Sequence, residues 1–289
     1  MKKVLFLAIA GITVLAAGCG TSSTQQENTS KKGTEFASKT PEIALTEIFT
    51  KALEKQDNLQ SYTTIVSATQ AITMEDGTNV EMKSKLQADQ IMEPYQFFVD
   101  SEAIATELES GESEEVLNLK MYLTADENLY LYEGSEDEWL QMPKGPELNE
   151  MLDAFGLNIN TIEQLKILEK YAEDFTYEEN GEKYILTLKG DSEKLAQLSR
   201  EQLALTISDA NPNSAELRST KFEDAFYQVV IDKSTFDVKK IQLDWLMKPK
   251  VQDDEMTVDQ KTTIVFENIN AVSTITVPQE VIDNAHSFE

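Results

Sequence analysis

The stretch SYTTIVSATQAITMEDGTNVEMKSKLQADQIM, residues 61–92, decides the fold class. Tyr62, Val66, Ala68, Ile72 and Met74 stand at even spacings, and Val80, Met82, Leu86, Ala88 and Met92 repeat the pattern. Only an extended chain, whose successive side chains point to opposite faces, brings each of these sets onto one side. Asp76-Gly77 lies between the two runs. Its glycine supplies the positive φ that a tight antiparallel turn requires, so the stretch reads as a hairpin with one apolar face.

Working outward, the same alternation predicts strands at about 95–100, 115–124, 128–133 and 138–142, with Leu117, Leu119, Met121 and Leu123 on one face. Phe175 to Glu179 and Lys183 to Lys189 flank Asn180-Gly181, a second hairpin. Long strands follow at about 221–232, 236–248 and 256–269, the middle one marked by Ile241, Leu243, Trp245 and Met247. Helical spacing appears first at Leu45, Ile48, Phe49, Ala52 and Leu53, after Thr40 and Pro41 in cap and first-turn positions. Shorter helices are expected from Pro146 to Phe155, stopped by Gly156, and from Ile162 to about Ala172, where Thr161 and Gln164 have capping-box spacing. Another begins after Asp191 as its cap and carries Leu195, Leu198 and Leu203, a loop follows at Asp209 to Ser214, and Pro278 starts a last one through Val281 and Ile282. Short turns between adjacent strands make an antiparallel sheet of about eleven strands in an α+β protein. That order argues against the strand–helix alternation of a two-lobed solute receptor.

The N-terminus adds a second layer. Lys2 and Lys3 precede an uncharged run from Val4 to Ala17, which is signal-peptide length and too short for a permanent membrane span. It ends in Leu15-Ala16-Ala17-Gly18-Cys19-Gly20, and Cys19 is the single cysteine of the chain. Small residues before a lone cysteine predict a lipobox, with residues 1–18 removed after Gly18 and lipid attached to Cys19. The large aliphatic residue lies four positions before the cysteine rather than the usual three, with Ala16 in its place. Ordinary secretory cleavage and an uncleaved anchor are the alternatives. More than one acyl chain holds a protein on a membrane, each buried methylene contributing about 0.8 kcal/mol. Gly20 to Lys39, rich in Ser, Thr, Gln, Glu and Lys, reads as a tether reaching about 65 Å stretched and roughly 25 Å on average. The globular domain is then residues 40–289, on the extracytoplasmic face of a cell membrane.

The balance of 25 basic against 52 acidic residues, a formal net charge of −27, makes nucleic acid an implausible partner and repels anionic lipid head groups. Nucleophilic catalysis needs a histidine beside its nucleophile, and the one histidine, His286, reads as a frayed terminal residue. Ser192 and Lys194 fit the first turn of an amphipathic helix, and no phosphate-cradling glycine loop is present. The acidic runs Glu107 to Glu115, Glu133 to Glu138 and Asp253 to Glu255 lack the spaced oxygen ligands of a calcium loop and read as solvated turns. The residues therefore predict no enzyme, no cofactor and no metal.

Val230-Ile231-Asp232-Lys233-Ser234-Thr235-Phe236-Asp237-Val238-Lys239-Lys240-Ile241, a strand, an Asp-Lys-x-Thr turn and a returning strand, resembles the hairpin of lipoprotein-sorting carriers of the LolA and LolB type and the mycobacterial lipid-binding lipoproteins LppX and LprG. Met121-Tyr122-Leu123-Thr124, Asn128-Leu129-Tyr130-Leu131-Tyr132 and Glu138-Trp139-Leu140 are similar to a recurring feature of an uncharacterised family of Gram-positive lipoproteins. The resemblance runs from about Leu45 to Ala285 in element order. It implies a strongly curved antiparallel β-sheet, an open half-barrel, whose concave apolar face is covered by helices and accepts acyl chains, with no catalytic residues to carry over.

The candidate ligand-binding set is accordingly Val66, Ala68, Ile72, Val80, Met82, Leu86, Leu117, Leu119, Met121, Leu129, Leu131, Leu243, Trp245, Ile264 and Phe266. Methionine in such a set suits a cavity that accepts varied chains. Pattern alone leaves open that these residues pack a dry core. Two functions follow from the two possibilities: a carrier or binder of lipid or another hydrophobic ligand, or a non-enzymatic envelope protein that binds a partner through an exposed aromatic patch around Tyr130, Tyr132 and Trp139.

Overall fold

In the computed structural model, residues 43–134, 136–142, 161–205, 215–251 and 254–287 are described. The leader, Cys19, the tether, Thr40 and Pro41, the helix expected at Pro146 to Phe155 and the loop at Asp209 to Ser214 lie outside them.

The even spacing of residues 61–92 becomes β1 (Ser61–Thr73) and β2 (Asn79–Met92), paired antiparallel from Ser61↔Ile91 to Thr73↔Asn79. Gly77 takes φ 90° in the turn, and the Asp76 carboxylate accepts the Thr78 N–H at 2.9 Å. The meander continues through β3 (Tyr95–Glu107), β4 (Ser113–Leu123), β5 (Leu129–Glu133) and β6 (Glu138–Met142). A second one comprises β7 (Thr176–Asn180), β8 (Lys183–Gly190), β9 (Lys221–Asp232), β10 (Val238–Lys248) and β13 (Thr257–Glu267); the small hairpin β11 (Lys250–Val251) and β12 (Asp254–Glu255) interrupts it. The two meanders are sewn together by β1 and β13, in register from Thr63↔Glu267 to Thr73↔Thr257.

The helices are α1 (Leu45–Asp57), α2 (Thr161–Glu169), α3 (Glu193–Ala204), α4 (Ala215–Ser219) and α5 (Gln279–Asn284). Ile48, Phe49 and Ala52 of α1, Leu165 and Leu168 of α2, and Leu195, Leu198 and Leu203 of α3 share one buried cluster with sheet residues such as Val66, Met121, Leu186 and Ile264. Phe49 meets Phe175 edge-on at 5.2 Å.

With a last, two-residue strand β14 (His286–Ser287), the result is one twelve-stranded sheet in the order β14-β6-β5-β4-β3-β2-β1-β13-β10-β9-β8-β7, open at both ends. β14 pairs parallel with β6, His286 opposite Leu140, so His286 is held in the sheet rather than frayed. A return through α5 brings it alongside β6 in a direction that no hairpin could give. At the other end β7 reads Thr-Tyr-Glu-Glu-Asn, an edge whose charges discourage pairing with another chain.

Three further readings are corrected. β3 runs on to Glu107, because its inward residues beyond Val99 are Ser101, Ala103 and Ala105, too small or polar to register as an apolar repeat. The cap of α3 is Ser192, whose Oγ accepts the Leu195 N–H at 3.3 Å, while Asp191 accepts the Asp224 N–H at 2.6 Å and so ties the helix entry to β9. Thr161 stands within α2, which ends at Glu169 and is followed by a 3₁₀ turn at Ala172–Asp174.

Candidate functional site

Residues opposite each other in adjacent strands share a face, so the register sorts the candidate set. One row across the strands is Val229, Ile241, Ile264, Val66, Leu86, Ser101 and Leu119. To one side of it runs Phe266, Thr64, Ala88, Val99, Met121, Leu131 and Leu140, and beyond that Leu129 stands in line with Leu123, Phe97 and Tyr62 through Gln90. To the other side runs Tyr227, Leu243, Thr262, Ala68, Ser84, Ala103 and Leu117. Then come Trp245, Gln260, Gln70 and Met82, and last Met247, Val258, Ile72 and Val80. The whole predicted set occupies one face of the sheet.

That face has two regions. Val66, Leu86, Leu119, Met121, Leu129, Leu131, Leu243, Trp245, Ile264 and Phe266 belong to the cluster shared with the helices, and Leu117 packs against it. Ala68, Ile72 and Met82 are also buried, at 6, 3 and 2 % exposure, as are Ala103 and Val258, yet none of the five belongs to that cluster. Val80 beside them is half-buried. The Asp76-Gly77 turn marks this end of the sheet.

Here the inward positions turn polar without becoming charged. Gln70 and Gln260 are each 4 % exposed, Thr262 5 % and Ser84 8 %. The Gln70 amide donates to Gln260 Oε1, and Gln260 Nε2 donates to Thr262 Oγ1 at 2.7 Å. Gln70 Oε1 and Trp245 Nε1 are buried without a partner among the described residues. Each such atom costs about 1–3 kcal/mol in the interior unless something pairs with it. Tyr227, the one titratable group of its row, is fully buried; its hydroxyl shares a hydrogen bond with Ser199 Oγ at 2.6 Å, and burial pushes its pKa far above the usual phenol range.

These polar residues were not in the predicted set. The signal for them is phase: Thr64, Gln70, Ser84, Gln90, Ser101, Gln260 and Thr262 break the apolar repeat at inward positions, and a search confined to apolar residues passes over them.

The opposite face carries the aromatic residues of the alternative reading. Phe98 stacks on Tyr122 at 4.6 Å, and Trp139 lies 5.8 Å from Tyr122 and 5.4 Å from Tyr132. This is not an open patch: Tyr130 is 7 % exposed in a cluster with Val277 and Val281, and Tyr122, Trp139 and Ala285 pack against it. The C-terminal segment covers what the sequence order alone leaves bare. Elsewhere, a surface cleft of about 380 Å³ is lined by Lys51, Glu54, Lys55, Asn58 and Phe236 and contains none of the candidate residues. Among the described residues no group of three or more His, Cys, Asp or Glu side chains is placed to hold a metal, and no helix is long and apolar enough to cross a membrane.

The Asp-Lys-x-Thr hairpin is present as read. Asp232 Oδ1 accepts from the Ser234 N–H and Oγ–H at 2.9 and 2.7 Å and from the Thr235 N–H at 3.0 Å, and these bonds lower its pKa to about 2.

Among solved structures the chain is similar to a LolA superfamily protein from Nitrosomonas europaea, at 9% identity over 83% of this chain and 97% of that one, with a TM-score of 0.21. It is similar also to a DUF1329 family protein from Desulfovibrio piger ATCC 29098, at 9% identity over 80% and 95% with a TM-score of 0.23. A third is an S-type phycobiliprotein lyase from Guillardia theta, at 8% identity over 78% and 93% with a TM-score of 0.19. Superpositions at these scores carry no information about function. No curated protein matches the chain. A family model matches residues 44–286, nearly the whole of the described fold, and the chain belongs to that family, the family of unknown function DUF6612.

Proposed function

We propose that this protein is a non-enzymatic lipoprotein, held to the extracytoplasmic face of a cell membrane by lipid on Cys19, whose sheet binds a lipid or similar hydrophobic ligand. The observation that carries the reading is the concentration of the whole predicted set on one face, with the Ala68, Ile72 and Met82 end buried apart from the main core.

A geometric argument supports curvature. Twelve strands spaced about 4.8 Å apart would extend roughly 50 Å if flat. The helices α1, α2 and α3 have 13, 9 and 12 residues, about 20, 14 and 18 Å of length. So little helix covers a flat apolar face of that width poorly, whereas a sheet curled into a half-barrel turns the same residues toward one another and toward the helices on its concave side. An alkyl chain entering there is stabilised by ordinary apolar burial, about 25 cal/mol per Å².

The test is native mass spectrometry with lipid extraction on the chain from Thr40 to Glu289, purified without detergent from its own host. A co-purifying lipid, lost when Met121→Trp or Leu243→Trp fills the face, is the expected result. A clean apo mass, with no lipid taken up from added liposomes, overturns the binder reading. For the anchor, Cys19→Ala is expected to abolish labelling by a clickable palmitate and to release the protein from the membrane fraction; retained labelling overturns it.

A further inference from the structure

The unpaired atoms at the turn end of the inward face point to the chemistry of the ligand's head. Resting on the binder reading, we infer that Gln70, Gln260 and Trp245 form a head-group subsite selective for a neutral acylglycerol-type amphiphile that carries a free hydroxyl. Two independent observations converge on it. Gln70 Oε1 is a buried acceptor and Trp245 Nε1 a buried donor, neither with a partner. In the adjoining row, β1, β2 and β3 place Ala68, Ser84 and Ala103 side by side, three small side chains where the next row has Val66, Leu86 and Ser101. Small residues across three neighbouring strands put little side-chain volume on the row next to the unpaired groups.

The charge inventory narrows the class. From Trp245 through Gln260, Gln70 and Met82 to Ala105, and along the adjoining small-residue row, no position is Asp, Glu, Lys, Arg or His; the first acid is the exposed Glu114 opposite Ala105, at the far end of the row from Trp245. Among the described residues these rows offer a phosphate or an ionised carboxylate no counter-ion, which is strongly unfavourable in a site shut off from water. The overall charge of −27 opposes anions further. A glycerol ester instead offers a carbonyl oxygen to accept from the indole N–H and a hydroxyl to donate to the amide oxygen. Trp245 and Gln70 stand in one row on the same face, on strands two spacings apart, about 10 Å between backbones. The acyl chain then lies along Met82 and the leucine-rich rows.

The experiment uses the full-length chain in membrane vesicles, with photoactivatable, clickable probes of equal chain length: a monoacylglycerol, a fatty acid, and a hydrocarbon without a head group. The expected result is labelling by the monoacylglycerol at least tenfold above the fatty acid at pH 7.5. Gln70→Leu is expected to lower that labelling about tenfold while leaving the hydrocarbon probe unchanged. Trp245→Phe, which removes the N–H and keeps an aromatic ring, gives the same split and keeps the test open should Gln70→Leu fold poorly. Equal labelling by fatty acid and monoacylglycerol, or variants that affect all probes alike, overturns the subsite and leaves the binder reading standing. Failure of every probe to label the unaltered chain overturns the binder reading, and the subsite with it.

Discussion

Replacing Gln260 by leucine tests whether the polar row on the inward face is dry when no ligand is present. In the unaltered protein Gln260 accepts from the Gln70 amide and donates to Thr262, while Gln70 Oε1 has no partner. Gln260→Leu removes both hydrogen bonds, each with a net value near 1 kcal/mol, and leaves the Gln70 N–H groups buried and unpaired at about 1–3 kcal/mol, a loss of roughly 3–5 kcal/mol. Adding Gln70→Leu removes the stranded amide altogether, including the oxygen that had no partner to begin with. The double variant is therefore expected to equal the unaltered protein in stability or to exceed it, a coupling of at least about 3 kcal/mol between neighbouring sites. The assay is urea unfolding of the lipid-free chain from Thr40 to Glu289, with the midpoint shifting at constant slope. In a thermal scan the single variant falls by roughly 6–10 °C and the double variant recovers. The reasoning is refuted if Gln260→Leu lies within about 0.5 kcal/mol of the unaltered protein, the result for a water-filled row, or if the two substitutions simply add.

Two other outcomes probe separate parts of the molecule. The hydrogen bonds from Ser234 and Thr235 depress the Asp232 pKa to about 2 from an ordinary 3.8, so its contribution is complete above about pH 4 and is lost as pH falls toward 2. Accordingly, the stability gap between Asp232→Ala and the unaltered chain should shrink steadily as pH falls from about 4 through 2, and a gap that is flat across that range would show that the carboxylate does not organise the hairpin. On the outer face, Val281→Asp puts a charge into the cluster with Tyr130 and Val277. It should detach the C-terminal segment at a cost of about 2–3 kcal/mol and shift Trp139 emission to the red in a Trp245→Phe background; unchanged emission would mean that α5 does not shield the aromatic residues.

Stability and binding are opposed along the glutamine row. Leucines there are expected to leave the sheet as stable as before, or more so, yet the chain keeps an amide with an unpaired oxygen beside an indole with an unpaired N–H. Under the proposed subsite, these unpaired groups are the ones that a ligand's head group meets. Retention of this row on a face otherwise suited to hydrocarbon is what separates a selective binder from a sheet that only packs its own core.

What the sequence determined by itself was local. Alternation around Asp76-Gly77 and Asn180-Gly181, helical spacing at Ile48, Phe49 and Ala52, and the Asp232 turn are set by short-range geometry, and each appears where the residues placed it. The membership of the inward face was legible for the same reason, since period-two alternation commits each side chain to one side of its strand whatever its neighbours are. Tertiary structure decided which strands are neighbours. The seam of β1 with β13 joins residues about 200 positions apart, from Thr63↔Glu267 to Thr73↔Thr257, and local spacing holds no information about it. That seam sets Gln70 opposite Gln260 and, through β13, two strands from Trp245, turning scattered polar exceptions into one row. The return of α5 and β14 over the outer face was hidden likewise, because a two-residue parallel strand has no periodicity to read: it pairs with β6, while Val277 and Val281 before it pack with Tyr130.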